Sequence, residues 1–150
     1  MNKEKIMEIY LMRHGESHIN KEKYSVVTEV SSEEIGFEPD LSERGKAESL
    51  LTGQEFKRLG IKFNKIICSP MLRALRSAEF ILKGMEEPEM HVDVDPKTFE
   101  QGGSSSKKTV KVGDKITYKG LSKAKIEKMF PFARVPADQI SDEGWYTKDC

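Results

Sequence analysis

Apolar residues along the chain come in short runs separated by polar stretches marked by glycine or proline, a pattern of alternating strands and helices without an internal repeat. Ile6, Met7, Ile9, Tyr10, Leu11 and Met12 form a nearly continuous apolar run of strand length, which predicts a buried strand over Ile6 to Met12. It stops at Arg13-His14-Gly15. From Asn20 to Pro39 the pattern is irregular and polar, broken by Gly36 and Pro39, which predicts a long surface excursion of the kind that often carries function. Ser42 is placed to cap a helix running to about Leu59, with Ala47, Leu50 and Leu51 inward and Gly60 as its stop, although Phe56 and Leu59 fit that stripe poorly.

Phe63 to Cys68 predicts a second short strand. Ser69-Pro70 opens a better-patterned helix, with Ser69 as cap, Pro70 as first residue, and Met71, Leu75, Ala78, Leu82 and Met85 on one face. Met90 to Val94 predicts a third strand, ended by Pro96. Residues 102–108 read as a flexible basic loop, and Val110, Val112, Ile116 and Tyr118 alternate around Gly113-Asp114 as in a hairpin. A short helix from Ser122 to Phe130 stops at Pro131. Strands alternating with helices predict an α/β fold with a mostly parallel sheet flanked by helices.

With 150 residues and 37% hydrophobic content, the chain suits one domain spanning 1–150. Its 25 basic residues balance 25 acidic ones, so an anion site must be local, and no nucleic-acid partner or acidic membrane surface is expected. Lys107, Lys108, Lys111 and Lys115 lack the interleaved aromatics of a base-stacking surface and suit a solvated hairpin edge. Cys68 and Cys150 show neither CxxC nor Cys/His spacing, which argues against a disulfide framework or a zinc site. The run Ile6 to Met12 is interrupted by Glu8 and is too short for a signal core or a membrane span. The expectation is a soluble, cytoplasmic protein. Neither GxGxxG nor GxxxxGK[ST] occurs.

The strongest chemical signal is LMRHGES, Leu11 to Ser17, where the first predicted strand runs out into a loop. Ligands of open α/β sheets bind at such strand ends. There an arginine fork can hold phosphoryl oxygens while a neutral imidazole nitrogen attacks phosphorus; the plain alternative is a strand-end histidine satisfied by hydrogen bonds. Arg73, in the first turn of the helix opened by Ser69-Pro70, is a cation where the helix dipole disfavours one unless an anion is also bound. For Arg73 the alternative is a side chain bent into water. A metal pair from His14 and His18 lacks a third ligand, and HGESH is not HExxH.

LMRHGES, DLSERG at Asp40 to Gly45, SPMLRALRSAE at Ser69 to Glu79, and Phe99-Glu100 after a strand resemble, in order and spacing, the blocks of the histidine phosphatase (phosphoglycerate-mutase-like) superfamily. The resemblance covers about residues 6 to 101 well and the remainder loosely. It implies a three-layer fold of that kind, with His14 as nucleophile, Arg13, Asn20 and Arg73 holding the phosphoryl group, and Glu100 protonating the leaving oxygen. It implies a phosphorylated small molecule or a phosphoprotein as substrate, no cofactor and no metal, since guanidinium groups stabilise the equatorial oxygens.

The chain departs from the family in one respect. A second histidine on a later strand beside the first is part of the family's site, whereas this chain's three histidines are His14, His18 and His91, none after the Glu100 block. His91 falls inside a predicted strand and is assigned to structure. The sequence therefore reads as a domain incomplete at its C-terminus, with three functional classes open: an enzyme, a phosphate-binding regulatory module, and a structural subunit whose open sheet edge is covered by a second copy or a partner. The loop after the first strand and the segment after Glu100 contain no decodable specificity motif, and Trp145 and Tyr146 are read as core or a partner contact before a pocket lining.

Overall fold

The apolar stripe of the Ser69-Pro70 block does what its spacing predicts. In the computed structural model, which describes residues 6–18, 39–98 and 120–145, this segment is a helix that buries Met71, Leu75, Leu82 and Met85. Numbered in chain order, the described elements are helix α1 (Glu43–Arg58), strand β1 (Ile67–Cys68), helix α2 (Leu72–Met85), strand β2 (Val92–Val94), a 3-10 turn (Pro96–Thr98), helix α3 (Lys123–Met129) and strand β3 (Ala133–Arg134).

The strands form a parallel sheet in the order β1-β2-β3. Ile67 pairs with Asp93 and Asp93 with Arg134, so these three side chains share one face. Cys68, Val92 and Val94 face the other way, into a core with Leu75, Leu82, Ile126, Phe130, Ile140 and Trp145. Helices thus flank a parallel sheet, the α/β class expected from the alternation of elements. The short helix expected from Ser122 to Phe130 runs from Lys123 to Met129, with Ser122 as its N-cap accepting from the Lys125 amide at 3.3 Å. Trp145 belongs to the core, beside Gly120, whose φ of +77° suits glycine. The hairpin and basic loop predicted between residues 102 and 118, Tyr146, and most of the Asn20 to Pro39 excursion lie outside the described residues.

Four expectations are corrected. First, Ile6 to Met12 is not a strand but irregular backbone, with Leu11 92% exposed. A strand exists only against a neighbour that takes its backbone bonds, and among the described residues no strand pairs with this run. Tyr10 alone in the run makes ring contacts, edge-on to Phe56 and Phe63 with centroids 5.9 and 5.4 Å away. Second, α1 starts after its Ser42 cap as expected but turns a different face inward: Gly45, Ser49 and Gly53 are buried, while Ala47 and Leu51 are exposed. Small residues win that face because α2 approaches so closely that a Cβ at Gly53 would collide with the Ile81 carbonyl, and one at Gly84 with the Leu50 carbonyl.

Third, α2 begins at Leu72 with Met71 as its N-cap, so neither Ser69 nor Pro70 holds its predicted place. The Ser69 hydroxyl instead accepts from the Met71 amide at 3.4 Å, and Arg73 becomes the second helical residue. Fourth, β1 and β2 are shorter than the runs Phe63 to Cys68 and Met90 to Val94, and His91 is exposed just ahead of β2.

Candidate functional site

Three separate stretches of the chain meet at Gly15. Its amide donates to the Ser77 hydroxyl at 3.0 Å, a contact from the LMRHGES loop to α2 across 62 residues. On its other side a Cβ at Gly15 would stand 2.5 Å from the Gly45 carbonyl oxygen in the first turn of α1. No side chain fits there, so only glycine lets the loop seat this deeply. The loop therefore lies in a slot between the first turn of α1 and the early turns of α2. Because α2 starts four residues after β1 ends, that slot is at the carboxyl end of the sheet, where α/β folds bind ligands.

The flanking backbone is tied down as well. Ser17 and Leu41 form an antiparallel bridge, the His18 amide donates to the Asp40 carbonyl at 3.1 Å, and the Ser42 amide donates to the Glu16 carbonyl at 2.9 Å. The Ser42 hydroxyl donates to Glu16 Oε1 at 2.6 Å and accepts from the Gly45 amide at 3.1 Å, so one side chain caps α1 and grips the loop. The DLSERG block thus serves as the loop's floor.

His14 Nδ1 lies 2.7 Å from the Gly15 carbonyl oxygen. A carbonyl can only accept, so this bond places the hydrogen on Nδ1, and in the neutral ring Nε2 then carries the lone pair. This is the orientation a nucleophilic imidazole requires.

Arg73 lies one helical turn before Ser77 on the same face of α2 and is only 7% exposed. The water-facing alternative for Arg73 is thereby overturned. A buried arginine in the first turn of α2 sits where the helix dipole disfavours a cation. Arg13, adjacent to His14, is exposed. Asn20 and Glu100 lie outside the described residues, so the structure brings His14 and the Arg73 turn together and leaves those two aside.

Arg76 was not singled out from the sequence. Its guanidinium bonds Asp40 at 3.1 and 3.2 Å and Glu79 at 2.8 Å, and stacks over the Phe130 ring 5.0 Å from its centroid. Burial works against its charge, but the bonds to Asp40 and Glu79 more than offset this and hold its pKa above the usual arginine value. Arg76 thus ties the DLSERG block to α2 and the core. Cys68, close by in β1, is no candidate nucleophile: burial pushes its thiol up to about 12, and Sγ donates to the Ser69 carbonyl at 3.3 Å.

Among the described residues, no cluster of three or more His, Cys, Asp or Glu side chains is arranged to hold a metal ion, and no helix is long and apolar enough to cross a membrane. A shallow cleft over the open sheet face, lined by Lys65, Ile67, Asp93 and Arg134, does not include His14 or Arg73.

Comparison with known proteins gives the assembly a family. The 2,3-bisphosphoglycerate-dependent phosphoglycerate mutase of Bartonella bacilliformis is 31% identical over 85 residues, 56% of this chain and 37% of the mutase. The corresponding mutase of Bacteroides fragilis is 32% identical over 114 residues, 71% of this chain and 42% of the mutase. The mitochondrial serine/threonine-protein phosphatase Pgam5 of Drosophila ananassae is 38% identical over 79 residues, 53% of this chain and 23% of that protein. The chain therefore spans less than half the length of the curated relatives it matches. Among solved structures, the ecdysone phosphate phosphatase of Bombix mori in complex with tungstate aligns with a TM-score of 0.48 at 21% identity, over 59% of this chain and 42% of that one. The model of the histidine phosphatase superfamily (branch 1) matches residues 9–107, two thirds of the sequence, and the chain belongs to that superfamily.

Proposed function

We propose that the chain transfers phosphoryl groups through a phosphohistidine on His14, acting on a phosphomonoester as a phosphatase or a mutase. The observation that carries this reading is the meeting at Gly15: the loop bearing His14 is bonded to the turn of α2 that carries the buried Arg73, with the His14 ring held by its Nδ1. In the first step the Nε2 lone pair attacks phosphorus, a P–N bond forms, the P–O ester bond breaks, and the departing oxygen takes a proton from Glu100. In the second, water or another acceptor hydroxyl attacks phosphorus, the P–N bond breaks, and the acceptor's proton returns to Glu100. Arg13, Asn20 and Arg73 hold the equatorial oxygens in both steps, and neither step calls on a metal or a cofactor.

The relatives' names span a bisphosphoglycerate-dependent mutase and a serine/threonine-protein phosphatase, so phosphorylated small molecules and phosphoproteins are both substrate classes to test. The proposed compartment is the cytoplasm, with no nucleic-acid or membrane partner.

The experiment is to mix the protein with an aryl phosphate and look for acid-labile phosphate on His14. Wild type is expected to trap it and His14→Ala to trap none, while Arg73→Ala slows trapping by about a hundredfold to a thousandfold. Label on another residue, or undiminished label in His14→Ala, overturns the reading.

A second reading, a phosphate-binding or regulatory subunit with weak turnover, starts from the same meeting of the His14 loop with the turn of α2 that carries the buried Arg73. Saturable phosphate binding without hydrolysis is its signature. The exposed apolar run Ile6 to Met12 favours assembly with a second copy or a partner subunit, which would appear as a concentration-dependent sedimentation coefficient.

A further inference from the structure

We infer that Ser77 is a positioning residue for His14, a role that rests on the phosphoryl-transfer reading above. Ser77 is buried, and its hydroxyl makes two bonds of opposite sense. It accepts from the Gly15 amide at 3.0 Å and donates to the Arg73 carbonyl at 2.8 Å. A hydroxyl has one hydrogen, and here it goes to Arg73, which leaves a lone pair for Gly15.

Gly15 is engaged at both ends of its backbone, because its carbonyl accepts from His14 Nδ1 at 2.7 Å. The result is a continuous chain of hydrogen bonds running from the His14 ring through Gly15 and Ser77 to the backbone of Arg73. The imidazole and the backbone of Arg73 are thus tied to one hydroxyl.

This chain fixes two things that a nucleophilic imidazole needs. The Gly15 N–H bond sets the plane of the His14–Gly15 peptide, and hence the direction in which the ring leaves the backbone. The Gly15 carbonyl selects the ring tautomer, and its own position depends on where Ser77 holds the residue. The Gly45 carbonyl and the Ser49 hydroxyl hem Gly15 in on the α1 side but donate nothing to it: the Ser49 hydroxyl donates to the Gly45 carbonyl at 2.8 Å. A serine within a helix that back-bonds to the carbonyl four residues earlier brings no gain to the helix itself, which leaves the loop contact as the use for Ser77.

Ser77→Ala removes the acceptor and the back-bond with little change in volume, whereas Ser77→Thr keeps the hydroxyl. Three readouts on the full chain separate positioning from folding: thermal unfolding, binding of inorganic phosphate, and the tautomer of His14 from ring nitrogen shifts. With wild-type and Ser77→Ala proteins both folded at the assay temperature, we expect Ser77→Ala to weaken phosphate binding and slow His14 labelling by about tenfold to a hundredfold, as small misplacements of reacting groups do. The His14 ring in that variant is expected to lose its preference for hydrogen on Nδ1, and Ser77→Thr to restore both properties. Unchanged binding and unchanged tautomer in folded Ser77→Ala overturn the role of Ser77 and leave the phosphoryl-transfer reading intact. Absence of both phosphate binding and His14 labelling in wild type overturns that reading and this inference together. If Ser77→Ala is unfolded, Ser77→Cys, which offers a weaker acceptor at the same place, is measured instead, with the same two outcomes deciding.

Discussion

The two long helices, α1 and α2, lie against each other but are built on opposite plans. Helix α2 presents Leu75 and Leu82 to the core, beside its N-cap Met71, and is held by apolar area. Helix α1 presents Gly45, Ser49 and Gly53 and is held by close approach, backbone against backbone at Gly53 and Gly84. Large side chains anchor an element to a core whose shape can relax around them. Small ones set a distance, and the candidate site hangs from the helix that sets a distance, through Gly45 against Gly15.

Substitutions can break or sharpen that contrast. Leu75→Ala, at a fully buried site, is expected to cost about 2–5 kcal/mol in denaturant unfolding, because lost transfer energy and a residual cavity add. Gly53→Ala adds a single methyl against the Ile81 carbonyl and is expected to cost about 1–3 kcal/mol despite the better helix propensity of alanine, which favours the substitution by about 1 kcal/mol. A neutral or stabilising Gly53→Ala would show that the two helices are free to separate. The core side of the contrast also carries a pH signature at Cys68, whose thiol rises from 9.0 to about 12 on burial. Above pH 9.0 the unfolded thiol loses its proton while the buried one keeps it, so the folded chain binds more protons and stability falls. The expected slope is about 1.4 kcal/mol per pH unit up to about pH 12, absent in Cys68→Ala. Smallest of all, Leu51→Gln on the outer face of α1 is expected to stay within about 0.5 kcal/mol of wild type, although the sequence pattern placed Leu51 inside.

That last pair shows what the sequence could and could not disclose. Periodicity reads large apolar residues, so α2's face was legible and α1's was not: Gly45, Ser49 and Gly53 recur every four residues but carry no hydrophobic signal. The run Ile6 to Met12 had the composition of a buried strand, yet burial depends on a neighbour that no local window can see. Strand β3, two residues long with an arginine at its end, had no apolar run to announce it. At the candidate site, His14 and Arg73 could be singled out from the sequence because their chemistry is unusual at a loop and at a helix start. Ser77, Arg76 and Gly45 owe their importance to contacts with residues distant in the chain, and serine, arginine and glycine are common enough on surfaces and in turns to pass without remark.

The glycine seam between the helices has a consequence for how this protein can vary. A core built from leucines and valines admits compensating exchanges, one residue shrinking as its neighbour grows. Glycine has nothing smaller beneath it, so at Gly15, Gly45, Gly53 and Gly84 no partner can give way, and any added atom must be accommodated by tilting a whole helix. Such a tilt would carry the His14 loop with it. The architecture therefore couples the spacing of two scaffold helices directly to the depth at which the imidazole is held.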